Sequence, residues 1–419
     1  LSDLLQVMES QGDPQLLRLA QEYLPITFGR RHGDPSRPWN QFEIKLNDEQ
    51  GNKLLSYQGN WRDIFQNWEA LLLSYPSFID STIAKFVNAS TVDGFNPYRI
   101  TKEGIDWEVE DPSDPWSYIG YWGDHQVIYL QKLLELSYGF QPGGLAKLLR
   151  KNIFSYDNVP YRIKSFEDIK YDPQNTVEYD DKLAEVISER VRQMGADGKL
   201  VLDHTGQVYQ VNLLEKILVC LLAKLSNLVV GGGIWLNTQR PEWNDANNAL
   251  VGHGLSMVTL YYVRRFLTFL NDLLKEEKGD VLLSLEVAEW LESTLSNLSR
   301  SATSIKDDKF SAEENFSLLT ALGRNFSHYR AVVYQQQGFS EQIKQPIDSV
   351  KKLIDSALVA IDYTIDGNKG ANGLYHAYNL LNLKDHTLSV DYLYPMLEGQ
   401  VAASSSGYLS AKESVGVLQ

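Results

Sequence analysis

Residues 235–252 read WLNTQRPEWNDANNALVG, and the architecture expected of the chain turns on how that stretch is placed. It follows an apolar run over 213–230 that three glycines, Gly231, Gly232 and Gly233, bring to a stop. A second long helical pattern begins near Leu250. The stretch therefore reads as a polar, aromatic-bearing loop between two buried helices. Within it, Glu242, Trp243, Asn244 and Asp245 place two carboxylates beside an indole. A flat apolar ring stacks on the C–H face of a pyranose, amides and acids bond its hydroxyls, and one acid can protonate a glycosidic oxygen. The same residues also serve as an ordinary helix N-cap before Ala246 and Leu250.

The composition narrows the classes open to the chain. Its 419 residues allow two or three domains, or one large helical ring. With 43% hydrophobic residues and no low-complexity tract, a sizeable core can form. A net charge of −15 argues against a nucleic-acid surface, which needs a basic stripe. The single cysteine, Cys220, excludes an internal disulfide, and its setting in LEKILVCLLAKL reads as a buried thiol. No clustered His and Cys suggest a metal site, and no cofactor is expected. Glu215, Lys216 and Lys224 interrupt the run over 213–230, which makes it a core helix rather than a membrane span. The absence of cystines and of a visible leader sets the expectation of a cytoplasmic protein. The start at Leu1 is consistent with a domain excised from a longer chain or with a processed product.

Outward from the central loop, the pattern is of about ten helices joined by long aromatic connections. The N-terminal part, 1–59, reads as a helix, a basic proline-broken loop carrying Arg30, Arg31 and His32, and a β-hairpin over 42–58. These cations suit an anion, phosphate above all, or else form a solvated loop. A second domain is expected over 60–419. It opens with a helix whose Trp61, Phe65 and Trp68 form one stripe, while Arg62, Asp63 and Gln66 lie on another side. Residues 93–125 read as a long non-helical stretch bearing Trp107, Trp116, Trp122, Asp124 and His125. Loops of that length are uncommon without a function. Further helices are expected near 126–138, 180–194, 249–278, 287–298, 313–337 and 347–363. A last loop over 366–391 carries His376, and Glu398 follows it. Strands are expected to be few and confined to the connections. The fold class is therefore all-α, a toroid of helical hairpins whose long loops gather at one end.

Three segments together resemble the cellobiose and chitobiose phosphorylase family. Arg62-Asp63 with Gln66 is similar to its RDxxQD motif, Gly123-Asp124-His125-Gln126 to its Asp-Asp segment, and Glu242-Trp243-Asn244-Asp245 to its DWND motif, in the same order. The resemblance implies an α/α toroid of the six-hairpin glycosidase type acting on an oligosaccharide by inversion. It implies Asp245 as general acid, with Arg62, Asp63 and Trp243 holding the sugar at the cleaved bond and Gln66, Trp122, Asp124, His125, Glu242 and His376 around it. Asn67 and Glu242 stand where the family has Asp, and its late phosphate-binding signature is not visible after Asp366. Both hydrolysis and phosphorolysis, with inorganic phosphate as co-substrate, remain open at this point. Glu398 is the late carboxylate that would activate water, and inversion would set it about 6.5–9.5 Å from Asp245. The alternative is a non-catalytic carbohydrate-binding domain of a larger protein.

Overall fold

The structure, a computed structural model, describes residues 1–24, 47–52, 58–97, 99–101, 104–107, 113, 126–237 and 249–419. The chain divides into two units, one of residues 1–162 and 178–217 and one of residues 163–177 and 218–419. Positions on both sides of 59 belong to the first unit.

In the first unit the expected helices are present. Asp13 caps the Pro14–Gln21 helix through Oδ1, which accepts from the backbone N–H of Gln15 at 2.8 Å. The Trp61–Leu72 helix buries Phe65 and Trp68, which meet edge to face at 5.2 Å, and Phe65 meets Phe86 of the Ile79–Asn88 helix at 4.4 Å. Of the expected hairpin over 42–58, the turn is described: Asp48 accepts from Gln50 and Asn52. Its flanking strands lie outside the described residues. Gln58–Asn60 pairs instead with Arg99–Thr101, which pairs with Gly104–Asp106, giving a three-stranded antiparallel sheet. The division between the units falls inside the Leu213–Leu225 helix, where Cys220 is buried. No described helix is long and apolar enough to cross a membrane.

The second unit overturns the all-α expectation. Its helices, including Met257–Leu274, Leu285–Lys306, Ala312–Gln336 and Ile347–Gly367, accompany a five-stranded antiparallel sheet. In spatial order the strands are Thr387–Tyr392, Tyr378–Lys384, Gly254–Ser256, Gly233–Trp235 and Leu228–Val229. An α/α toroid made only of helical hairpins has no place for this sheet. The glycine run does not simply end a helix, because the helix stops at Leu225 and Gly231 turns one strand into the next. A Cβ on Gly233 would lie 2.9 Å from the Ser256 backbone, so the close strand approach needs glycine there. The long helix expected from 249 starts only at Met257, after a strand, with Ser256 as its cap. The last loop, 366–391, holds the longest hairpin of the sheet, turned by Asp385 and His386 at φ 48 and 64. Positive φ at both central residues is the two-residue turn whose twist suits a hairpin.

The turn at 230–232 is held by side chains from three elements. Asn315 donates to Val230 O at 2.7 Å, Asn368 to Gly231 O at 2.9 Å and Asn379 to Gly232 O at 2.8 Å. Asn379 also donates to Asn368 Oδ1 at 2.7 Å, and Gly231 N–H to Thr364 Oγ1 at 2.9 Å. The excursion 163–177 is likewise bound to its own unit. Phe166 N–H donates to Ser327 Oγ at 2.7 Å, Arg330 donates to Lys164 O at 2.9 Å, and the Phe166 ring meets Trp235 edge-on at 6.2 Å.

Asn368→Ala removes the donor to Gly231 O and Thr364 O and the acceptor for Asn379 Nδ2, and each net bond lost is worth about 0.5–1.5 kcal/mol. The urea midpoint of that variant should fall by an amount equivalent to about 2 kcal/mol or more. Asn382→Ala, which removes only an exposed bond to Asp391, should leave it unchanged.

Candidate functional site

Much of the expected site lies outside the described residues: Arg30, Arg31, His32, Trp122, Asp124, His125, Glu242, Trp243 and Asp245. Arg62 and Asp63 stand in the first turn of the Trp61–Leu72 helix, and Gln66 is exposed one turn on, all in the first unit. His376 and Glu398 belong to the second unit.

The segments that carry these last two are packed on each other. The side-chain amide of Gln400 pairs with the backbone of Tyr375 as a strand would: Tyr375 N–H donates to Oε1 at 2.9 Å and Nε2 donates to Tyr375 O at 2.7 Å. Gly399 lies so close that a Cβ on it would meet the Ala377 Cα at 3.0 Å. The neighbours of His376 are thus clamped to the neighbours of Glu398. His376 is fixed further by its own N–H to Asn368 O at 3.1 Å and by its carbonyl, which accepts from Tyr261 Oη at 3.3 Å.

The ring of His376 has a defined tautomer. Nδ1 lies 2.6 Å from Leu393 O. A carbonyl can only accept, so Nδ1 carries a proton, and in the neutral form of the ring it is Nε2 that has the lone pair. Glu398 sits in the first turn of the Leu397–Ser405 helix, half-buried. Around the pair the surface is aromatic. The Tyr392 ring lies 5.0 Å from His376, and Tyr392 is exposed together with Tyr394, which is 72% exposed. Burial of part of Tyr392 raises its phenol above the ordinary value, so it stays a hydrogen-bond donor. The far end of the helix is tied down where Arg264 donates to Ser406 O at 2.9 Å and pairs with Asp362 at 2.6 Å. Sequence reading did not find Gln400, Tyr392 or Tyr394; exposed aromatics just before a late acid were the available signal.

The first unit holds a buried polar cluster that sequence reading also missed. Tyr156 Oη donates to Glu215 Oε1 at 3.1 Å, and Lys216 Nζ stands 3.4 Å from the centre of the Tyr156 ring. Beside them Asp157 is buried with neither carboxylate oxygen hydrogen-bonded among the described residues. The N–H of the adjacent Asn158 donates to Lys199 O at 2.9 Å. The two nearby cations are also engaged elsewhere, Lys216 with Ser90 O at 3.3 Å and Lys199 with Ile105 O at 2.7 Å. Burial therefore dominates and raises the Asp157 carboxyl well above the ordinary value, with Lys199 and Lys216 opposing.

A carboxyl whose value is raised by folding stabilises the fold fully below its unfolded value. That contribution is lost as pH rises through the folded value. Asp157→Asn removes the titration. Its stability relative to the parent should therefore improve as pH rises above the ordinary carboxyl range of about 4, measured by urea midpoints. Parallel curves would show that Asp157 ionises as freely in the fold as out of it.

No protein-family model matches the sequence, and no curated protein matches it.

Proposed function

We propose that the chain acts on an oligosaccharide, cleaving a glycosidic bond by inversion with Glu398 as the base that activates water. The observation that carries this reading is the clamp of Gln400 on Tyr375, which fixes the segment bearing His376 to the helix bearing Glu398, with the exposed Tyr392 ring beside His376. Each part has a task in such a reaction. The faces of Tyr392 and Tyr394 receive the C–H face of a sugar. His376 Nε2 accepts from a sugar hydroxyl while Nδ1 remains bound to Leu393. The carboxylate of Glu398 takes a proton from water on the side of the ring opposite the leaving group. Asp245 is the general acid on the strength of the WND segment. A carboxylate at this place supports hydrolysis over phosphorolysis, which needs cations there.

A second reading, binding of carbohydrate without turnover, is favoured by the degree of exposure of Tyr392 and Tyr394. Exposed rings on a strand edge form a platform that requires no catalysis.

One experiment separates the readings. The protein is incubated with gluco-, manno- and chito-oligosaccharides, with and without phosphate, and the products are chromatographed. Free sugar should form in both conditions. Glu398→Gln should lower turnover by about 10²–10⁴-fold with an unchanged melting curve. Sugar phosphate formed only with phosphate would remove Glu398 from the role of base. Binding that is lost in Tyr394→Ala, with no product from the parent, would establish the second reading.

A further inference from the structure

A second group of chemistry-bearing side chains lies between two helices that contribute nothing to the site above. Glu286, Glu289, Trp290 and Ser293 recur at helical spacing along one face of the Leu285–Lys306 helix. Asn325, His328, Tyr329 and Val332 do the same on the Ala312–Gln336 helix. Together these residues line a cavity of ≈ 190 Å³. At ≈ 30 Å³ per water it has room for about six waters, or one small ring.

The inner part of the cavity is rigid. Trp290 is stacked on Phe326 at 4.6 Å and on Tyr329 at 4.4 Å, and its indole N–H donates to Ser226 Oγ at 3.1 Å. Glu286 is 5% exposed and accepts the Ser340 N–H at 3.0 Å through Oε1. Its other oxygen, Oε2, is buried without a hydrogen-bond partner among the described residues. Across the cavity the amide Nδ2 of Asn325 is also buried without one. Native folds rarely leave an acceptor and a donor unmatched in the same cavity. Here the two groups belong to neighbouring helices and do not bond each other. A ligand that fills the cavity would satisfy both.

The charge and the walls narrow the ligand. Glu289, at the exposed mouth, adds a second carboxylate, and His328 is the lone basic side chain among the described lining residues. A cation satisfies Glu286 with a charge-assisted hydrogen bond, and an aromatic wall favours it further. Asn325 Nδ2 needs an acceptor on the same ligand. We propose that this cavity binds a small 2-amino alcohol, its ammonium on Glu286 Oε2 and its hydroxyl oxygen accepting from Asn325.

Glucosamine and glucose are matched probes, because they differ only in the group at one ring carbon. Calorimetry and saturation-transfer NMR on the full chain should show glucosamine binding about ten-fold or more tightly than glucose. Glu286→Gln, which keeps the acceptor for Ser340, should weaken glucosamine by a similar factor. Glu289→Gln, at the exposed mouth where the fold tolerates change, should weaken it a few-fold. Glu398→Gln should leave glucosamine binding unaltered, which separates this cavity from the proposed oligosaccharide site. Equal affinity for the two sugars would make this a neutral polyol site and overturn the proposal. Absence of glucosamine binding at millimolar concentration, or binding untouched by both Glu286→Gln and Glu289→Gln, would overturn it as well. If Glu286→Gln fails to fold, the Glu289→Gln result decides.

Discussion

Three consecutive carbonyls, those of Val230, Gly231 and Gly232, accept hydrogen bonds from three asparagine side chains. A tight turn among helices and strands exposes several backbone acceptors at once, with no strand partner to take them. Asparagine is suited to such a place, because its amide can donate while its carbonyl accepts from another group. Asn368 uses both capacities together, donating to Gly231 O while its Oδ1 accepts from Asn379, and Asn379 donates both to Asn368 and to Gly232 O. The Ala312–Gln336 helix, the end of the Ile347–Gly367 helix and the Tyr378–Lys384 strand are thereby fixed to one point.

The candidate site inherits its geometry from that point. Asn368 O accepts the N–H of His376, so the residue that locks the turn also orients the histidine backbone. The Tyr378–Lys384 strand begins two residues after His376, and its pairing with Gly254–Ser256 holds the same segment from the other side. Gln400 then attaches the late helix to Tyr375. Glu398 precedes two residues that are held to the 375–377 segment, Gly399 by close approach to Ala377 and Gln400 by its side-chain amide. That is the kind of support a base needs to keep one orientation.

The helices were legible in the sequence because their signals are local. Ser311 and Glu314 form a capping box ahead of a clear apolar stripe, and the Ala312–Gln336 helix follows within a residue of its expected limits. The sheet was not legible. Gly233–Trp235 and Gly254–Ser256 are three residues each and buried throughout, so they show no alternation for a period-two reading to detect. Asn368 and Asn379 look like loop residues and are buried, because distant carbonyls claim them. The late acid Glu398 was singled out by its place in the chain. Gln400 was not, since a side chain that imitates a strand leaves no periodic trace. Asp157 escaped notice for a similar reason: its burial depends on Ser90 and Leu200, far away along the chain.

The excursion of residues 163–177 makes both units discontinuous in sequence. During synthesis this segment leaves the ribosome about 150 residues before Ser327 and Arg330, the groups that bind it. Until they arrive, Phe166 has neither Trp235 nor the close-packed Gly323 to rest against. The nascent chain therefore carries an unsatisfied aromatic hook while about 160 further residues are made. The second unit cannot close until the helix that receives the hook has been made, and a cut between 217 and 218 would part that unit from a piece of its own core.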